Sequence, residues 1–245
     1  MKVIIVPSLA EPVGNVWKNL QAKYTKKGNF YISSPLSSTP LPVYEWVIAN
    51  CKFFKNWHKV KFVLMDEMLE DNRSPFKYVP LDDPASYEGF ARKNLLEPLA
   101  KKVAVSQGVI KPELSKIKKF ETPIDLLILA IGVKGSYANV MPGTAVQTGW
   151  HIAHLIAEFR QIHTQQGSKS YEGANFREFG MSLGPQQVLI AENIVVIISG
   201  EKKRELAKEF LAQKNFNPNF PLSIIYHPLA REKTTVFLTE DVGVK

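Results

Sequence analysis

The sequence predicts an α/β fold, a Rossmann-like three-layer sandwich in which a mostly parallel, twisted sheet has helices on both faces. Unbroken apolar runs, such as residues 124–131 and 194–199, are typical of strands that are buried on both faces. Segments whose apolar residues have helical spacing, such as residues 9–24, separate these runs. Because we find no internal repeat and no linker, we expect residues 1–245 to form one domain.

The composition is that of an ordinary globular protein, with 45% hydrophobic and 22% charged residues among 245. No apolar run approaches the roughly 20 residues that span a membrane, so we expect no membrane partner. Residues 1–10 lack the basic segment of a signal peptide. The single cysteine excludes an internal disulfide bond and fits a reducing compartment, so we expect a cytoplasmic protein.

The net charge of +8 suits either nucleic acid or an anionic metabolite as partner. The basic residues are scattered, and clusters such as Lys202, Lys203 and Arg204 are short. Neither zinc-ligand spacing nor an aromatic RNA-binding motif accompanies them. We therefore favour a small anionic ligand over nucleic acid.

Periodicity gives the order of the elements along the chain. We predict strands over residues 2–7, 29–33, 60–65, 103–105, 124–131, 194–199, 223–228 and 234–238, and helices over residues 9–24, 41–56, 84–101, 144–163 and 200–214. His151 and His154 are one turn apart on the fourth of these helices and could share a face. Since no acid accompanies them at a fitting spacing, we expect no metal site.

Polar residues follow the predicted strands 29–33, 60–65 and 124–131. In α/β proteins, ligands commonly bind at the carboxyl ends of such strands. Ser37, Ser38 and Thr39 lie between a strand and a helix, a layout that offers hydroxyl groups and free N–H donors to a phosphate. A capped helix start is the alternative. Asp66 and Glu67 end the next strand, where a carboxylate can act as a general base or be an ordinary solvated loop acid.

The loop after residues 124–131 resembles the catalytic loop of the glucosamine-6-phosphate deaminase/isomerase and 6-phosphogluconolactonase superfamily. That family follows an apolar strand with a Gly-x-x-Asp-Gly-His motif and ends the loop near a proline. The frame is retained here in the loop that contains Gly132, Lys134, Gly135, Ser136, Asn139 and Pro142. Lys134 occupies the position of the family's aspartate, and Ser136 occupies that of its catalytic histidine. A histidine of the segment 144–163 is one candidate replacement.

The resemblance extends over nearly the whole chain and implies roles for several other residues. It implies that Asp66 and Glu67 correspond to the family's catalytic Asp-Glu pair, with Ser136 in the place of the histidine. It also implies that a substrate phosphate is bound by Ser37, Ser38, Thr39, Arg177 and Lys203. Arginine and lysine suit a phosphate because both donate charge-assisted hydrogen bonds.

The resemblance implies a divergent sugar-phosphate isomerase or deaminase, or a lactonase, of carbohydrate metabolism. The expected partner is a phosphorylated sugar, without a cofactor. Loss of a general acid/base costs roughly 10²- to 10⁴-fold in rate, so a non-catalytic sugar-phosphate binder or sensor on the same fold is the alternative. The sequence leaves the oligomeric state open, with a homo-oligomer among the alternatives.

Overall fold

A seven-stranded sheet, in which all neighbouring strands are parallel, lies at the centre of the computed structural model. The structure describes residues 1–70, 74–160 and 177–244. The strands of both its sheets are β1 (Lys2–Val6), β2 (Phe30–Ser33), β3 (Val60–Val63), β4 (Asp66–Met68), β5 (Val109–Ile110), β6 (Leu126–Ala130), β7 (His151–His154), β8 (Phe179–Ser182), β9 (Ile194–Ile198) and β10 (Thr234–Thr239). The central sheet has the order β1-β10-β9-β6-β2-β3-β5, whereas β4, β8 and β7 form a small antiparallel sheet.

The strand order changes direction at the middle of the central sheet. From β2 the chain proceeds outward through β3 to β5, and from β6 it proceeds in the other direction through β9 to β10. The adjacent strands β2 and β6 therefore form the switch point, where the loops that follow two neighbouring strands diverge. Open α/β sheets bind their ligands beside such a point, at the carboxyl ends of the strands.

Helices cover both faces of the central sheet and complete the three-layer α/β fold. They are α1 (Ala10–Tyr24), α2 (Leu41–Ala49), α3 (Tyr87–Ala91), α4 (Glu97–Ala100), α5 (Pro185–Ile190), α6 (Arg204–Ala212) and α7 (Pro228–Arg231), and a π-helical segment, Arg92–Leu96, joins α3 to α4. As predicted, inner strands of the central sheet are buried on both faces and helices bury their apolar side. Every residue of β9 is buried, and α1 buries Val13 and Trp17 against the core.

The largest error of the sequence-based prediction concerns residues 144–163. Residues 151–154 form the strand β7, which pairs with β8, and only residues 157–160 of the described part of this segment are helical. In a short amphipathic segment the same apolar residues can fit either a helix or a strand. Here the pairing with β8 selects the strand. The predicted residues 161–163 lie outside the described part.

Three smaller predictions are also wrong. Residues 221–226 form a 3₁₀ helix and not a strand, with Pro221 at its start and all six residues buried. Residues 103–105 are not a strand, and the neighbouring strand β5 lies at Val109–Ile110 instead. The helix that follows residue 41 ends at Ala49 and not at residue 56.

Asp66 and its neighbours lie apart from β3, although the sequence predicts a single strand that runs into them. β3 ends at Val63, and Asp66–Met68 form β4, which pairs with β8 in the small sheet. This change of sheet moves the chain away from the central sheet directly after the carboxyl end of β3.

None of the helices in the described part of the chain combines the length and the apolarity that crossing a membrane requires.

Candidate active site

A cleft of about 160 Å³ lies at the carboxyl ends of β2, β3, β6 and β9, beside the switch point of the sheet. Its walls come from the loops that follow these four strands and from two aromatic side chains of other elements. The lining residues are Pro35, Leu36, Ser37, Ser38, Thr39, Met65, Asp66, Tyr87, Ala130, Ile131, Gly132, Val133, Tyr137, Ala138, Phe159 and Lys203. The cleft therefore brings together half of the predicted site residues, from distant parts of the chain.

The hydroxyl-rich loop after β2 forms one wall of the cleft. Ser37, Ser38 and Thr39 all line it, and α2 begins two residues after Thr39. The Tyr44 hydroxyl, buried within α2, donates a hydrogen bond to the Pro35 carbonyl oxygen at 2.5 Å. This bond fixes the start of the loop beside the three hydroxyl groups. Contrary to the expectation from the sequence, the N-terminus of α2 offers no free donor, because its prolines have no N–H group and its other first N–H groups bond to carbonyl oxygens of the preceding residues.

Lys203 brings a positive charge to the same cleft. It lies just before α6, in the turn that follows β9. Burial of the side chain lowers the pKa of its ammonium group. Among the described residues its ammonium group has neither an ion-pair partner nor a hydrogen-bond partner, so it is available to an anion.

Asp66 is the carboxylate of the cleft. It is 7% exposed, and its Oδ1 has no hydrogen-bond partner among the described residues. Burial and, to a lesser degree, the neighbouring charge of Glu67 raise the pKa of Asp66 well above its usual value. A carboxyl group with a raised pKa in a ligand cleft is a candidate for proton transfer.

Glu67 has a different environment, although it is the next residue. Its Oε1 accepts hydrogen bonds from the backbone N–H groups of Met68 and Tyr87, and its Oε2 accepts bonds from the Ser86 hydroxyl and the Glu88 N–H. Burial raises the pKa of Glu67 to about 7, against the effect of these bonds. Since the residue does not line the cleft, the structure does not support the predicted catalytic role. Glu67 instead joins β4 to the start of α3.

The two glycines of the loop after β6 are required by its close packing. The Gly132 N–H donates to the Ser136 carbonyl oxygen at 2.6 Å, and a Cβ atom on Gly132 would lie 2.4 Å from the Ser136 Oγ. Gly135 has a φ of +73°, and a Cβ atom there would lie 2.6 Å from the ring of Phe220. Other residue types at either position would therefore force the loop to move.

Ser136, in the place of the family's catalytic histidine, does not reach the cleft. It is 1% exposed, it is not among the lining residues, and its Oγ has no partner among the described residues. A serine hydroxyl needs an adjacent base to act in proton transfer, and none contacts it here. The structure therefore does not support a catalytic role for Ser136.

Lys134 and Asn139 of the same loop make contacts outside the cleft. The Lys134 ammonium group forms an ion pair of 2.9 Å with Glu158, in the helical turn that also carries the cleft residue Phe159. Both partners are exposed, so the pair itself adds little stability. Asn139 is fully buried and donates a hydrogen bond from its side chain to the Met181 carbonyl oxygen at 3.2 Å. Neither side chain lines the cleft.

Arg177 is the one predicted phosphate ligand that the structure does not bring to the cleft. Its Nη2 forms an ion pair of 2.9 Å with Asp83, and the residue is not among those that line the cleft. Its Nε is buried without a partner among the described residues. A role in phosphate binding would need Arg177 to leave Asp83.

The two histidines considered as metal ligands lie on a strand. Side chains of residues three apart on a strand point to opposite faces, so His151 and His154 do not share one. His151 is half-buried beside the Gly149 carbonyl oxygen, and His154 packs on the ring of Phe179. Neither lines the cleft as a replacement for the missing histidine, and within residues 1–70, 74–160 and 177–244 no group of three metal-ligating side chains occurs.

Three aromatic residues of the cleft were missed by the sequence analysis. Tyr87 begins α3, Tyr137 directly follows Ser136, and Phe159 lies in the helical turn after β7. The position of Tyr137 within the predicted loop was an available signal. No such signal marked Phe159 in the sequence, because its segment was predicted to be one long helix.

Comparison with known proteins identifies the family of the chain. The model of the glucosamine-6-phosphate isomerases/6-phosphogluconolactonase family matches residues 8–236. The chain is 25% identical over 235 residues to a glucosamine-6-phosphate deaminase of Bacillus cytotoxicus, covering 93% of this chain and 84% of the relative.

Solved structures show the same fold. A monomeric glucosamine-6-phosphate deaminase superposes with a TM-score of 0.76 at 19% identity, covering 99% of each chain. A 6-phosphogluconolactonase of Thermotoga maritima superposes with a TM-score of 0.64 at 17% identity, covering 97% of this chain and 98% of that one. Together with the match to the family model, these findings establish that the chain belongs to the glucosamine-6-phosphate isomerase/6-phosphogluconolactonase family.

Proposed function

We propose that the chain binds a phosphorylated amino sugar in the cleft and isomerises it by proton transfer through Asp66. The observation that carries the proposal is that Asp66 and Lys203 line the same cleft, where neither the Asp66 Oδ1 nor the Lys203 ammonium group has a partner within the described part of the chain. Family membership and the deaminases among the relatives support the substrate class.

The phosphate would occupy the end of the cleft that is formed by Ser37–Thr39 and Lys203. The three hydroxyl groups and the ammonium group together supply neutral and charged donors there. Binding of a dianion beside Lys203 would also restore the charge that burial disfavours. Arg177 is not needed for this arrangement.

The sugar would extend from its phosphate toward Asp66. In the open-chain form, the ionised carboxylate removes a proton from the carbon beside the carbonyl group and returns it to the neighbouring carbon. The carbon-bound proton stays on Asp66 between the two transfers, while a proton of the amino group passes to the former carbonyl oxygen, so this isomerisation gains and loses no atom. Hydrolysis of the resulting imine then takes up one water molecule, releases ammonia and gives fructose 6-phosphate. The raised pKa of Asp66 strengthens it as a base but restricts the ionised fraction at low pH.

A non-catalytic sugar-phosphate binder is the second candidate. The burial of Ser136 away from the cleft favours it, because the position that holds the family's acid/base supplies no proton-handling group. Such a protein would keep the phosphate site and the affinity but not the turnover.

Turnover measurements separate these candidates. We would follow glucosamine 6-phosphate with the purified protein and measure fructose 6-phosphate, and in parallel follow 6-phosphogluconolactone against its spontaneous hydrolysis. Formation of fructose 6-phosphate supports the proposal, and accelerated lactone hydrolysis assigns the chain to the other branch of the family. Binding without either reaction favours the second candidate.

We further propose that this activity operates in the cytoplasm. The only cysteine, Cys51, is buried and free, which suits a reducing compartment.

A further inference from the structure

Tyr137 has an unusual environment for a buried tyrosine. Its side chain is 1% exposed and lines the cleft, and its hydroxyl group has no hydrogen-bond partner among the described residues. Buried tyrosine hydroxyl groups normally find a partner, so an exception beside a ligand cleft calls for an explanation. A ligand oxygen that enters the cleft is such a partner.

Hydrogen bonds fix the backbone of Tyr137 and of the residues that follow it. The Val140 N–H donates to the Tyr137 carbonyl oxygen at 2.9 Å, and the Asn139 N–H donates to the Ser182 hydroxyl at 3.2 Å. Between them Ala138 has a φ of +44°, a conformation that residues other than glycine adopt only where the surroundings impose it. The tight turn thus fixes the phenol in the wall of the cleft before any ligand binds.

The chemistry of a phenol differs from that of the other polar groups in the cleft. Lys203 and the hydroxyl groups of residues 37–39 suit an anion, and Asp66 is an acceptor when it is ionised. Burial raises the pKa of Tyr137 well above its usual value, so its hydroxyl group stays protonated and can donate. Uncharged oxygens of a sugar need a donor of this kind.

We propose that the Tyr137 hydroxyl contacts the bound sugar phosphate and donates a hydrogen bond to one of its uncharged oxygens. Tyr137 is then a specificity-determining residue that recognises the sugar, whereas Lys203 recognises the phosphate. The inference rests on the proposed function, because it requires a sugar phosphate in the cleft.

The test compares Tyr137→Phe with the wild type by calorimetric titration with two probes, glucosamine 6-phosphate and inorganic phosphate. The variant keeps the ring and removes only the hydroxyl group. We expect its affinity for glucosamine 6-phosphate to fall about three- to ten-fold, as the loss of one hydrogen bond predicts. We expect its affinity for inorganic phosphate to stay within two-fold, since that probe carries no sugar.

Thermal unfolding separates this role from a structural one. Because the Tyr137 hydroxyl group makes no hydrogen bond to a described residue, Tyr137→Phe should unfold at the same or a higher temperature. Tyr226→Phe is the matched control, because the Tyr226 hydroxyl donates to the Phe210 carbonyl oxygen at 3.1 Å and Tyr226 does not line the cleft. That variant should lose stability and keep its affinity for both probes.

Each result decides a different point. Unchanged affinity of Tyr137→Phe for glucosamine 6-phosphate, with binding by the wild type, overturns the inference and leaves the proposed function intact. An equal loss for both probes, or a lower unfolding temperature together with the loss, assigns Tyr137 a structural role and also overturns it. Failure of the wild type to bind glucosamine 6-phosphate contradicts the proposed function, and the inference then falls with it.

Discussion

The carboxylate of Glu67 accepts a hydrogen bond from the backbone N–H of Tyr87 at 2.7 Å and thereby joins β4 to the first turn of α3. Three further donors contact the same carboxylate. The bond sets the relative position of two cleft residues, because Asp66 precedes Glu67 and Tyr87 itself lines the cleft. Glu67 is therefore a positioning residue.

Glu67→Gln should destabilise the protein by roughly 2 to 6 kcal/mol. The amide that replaces one oxygen is itself a donor and would leave two buried donors without an acceptor, at about 1–3 kcal/mol each. Urea unfolding of the variant measures the loss. Glu45→Gln, on the exposed side of α2, is the control and should change the free energy of unfolding by no more than about 0.5 kcal/mol. An equal, small effect of both substitutions would show that Glu67 does not hold α3.

Asp66→Asn should make the protein more stable than the wild type, and increasingly so as the pH rises above about 4. Below that pH both the folded and the unfolded wild type keep the Asp66 proton, so burial costs nothing. Above it the unfolded chain releases the proton, whereas the folded chain retains it because the pKa of Asp66 is raised. The wild type therefore loses stability with increasing pH until the raised pKa is passed, by at most about 1.4 kcal/mol per pH unit.

Urea unfolding of both proteins at several pH values between 4 and 8 measures this difference. A constant difference across the range would mean that the pKa of Asp66 is the same in the folded and unfolded chains, contrary to its burial.

Lys203→Ala should weaken the binding of sugar phosphate by ten-fold or more, since a charge-assisted hydrogen bond contributes about 1.5–3 kcal/mol. Calorimetric titration with glucosamine 6-phosphate measures it. Lys202→Ala is the matched control, because Lys202 is exposed and does not line the cleft, and its affinity should stay near that of the wild type. Similar losses in both variants would indicate a general effect of charge instead of a phosphate site.

Arg177→Ala extends this comparison. Because Arg177 is paired with Asp83 outside the cleft, we expect a smaller loss of affinity than for Lys203→Ala. A loss of ten-fold or more would show that Arg177 leaves Asp83 to bind the phosphate, as the family resemblance implies.

Ser136→Ala should leave both turnover and stability nearly unchanged. The hydroxyl group is buried, faces Gly132 and makes no hydrogen bond to a described residue, so its removal forfeits no contact with substrate or protein. Initial rates with glucosamine 6-phosphate test the prediction on turnover, and thermal unfolding tests the prediction on stability. A fall in rate of 100-fold or more in a stably folded variant would show that Ser136 takes part in catalysis.

The fold, and the position of five predicted site residues in one cleft, could be predicted from the sequence. Buried parallel strands such as β6 and β9 are continuous apolar runs, and the loops after them are marked by Gly132 and Gly200. Ser37–Thr39 and Asp66 were found because they follow predicted strands, whose carboxyl ends meet at one edge of the sheet, and Lys203 was found from the family resemblance.

The remaining errors have physical causes that a single sequence does not show. The pairing of β7 with β8 overrides the helical spacing of residues 144–163 through long-range hydrogen bonds. The separate environments of Asp66 and Glu67 depend on α3, which is about 20 residues further along the chain. The ion pair of Arg177 with Asp83 is likewise a contact between distant segments, with a sequence separation of 94.

The most direct test of the account is a proton NMR time course of glucosamine 6-phosphate in D₂O with the wild type and with Asp66→Asn. The account predicts that the wild type introduces deuterium at the carbon beside the carbonyl group, and that the variant binds the sugar phosphate without this exchange. Exchange at equal rates in both proteins, or no exchange by a wild-type protein that binds the sugar, would contradict proton transfer by Asp66.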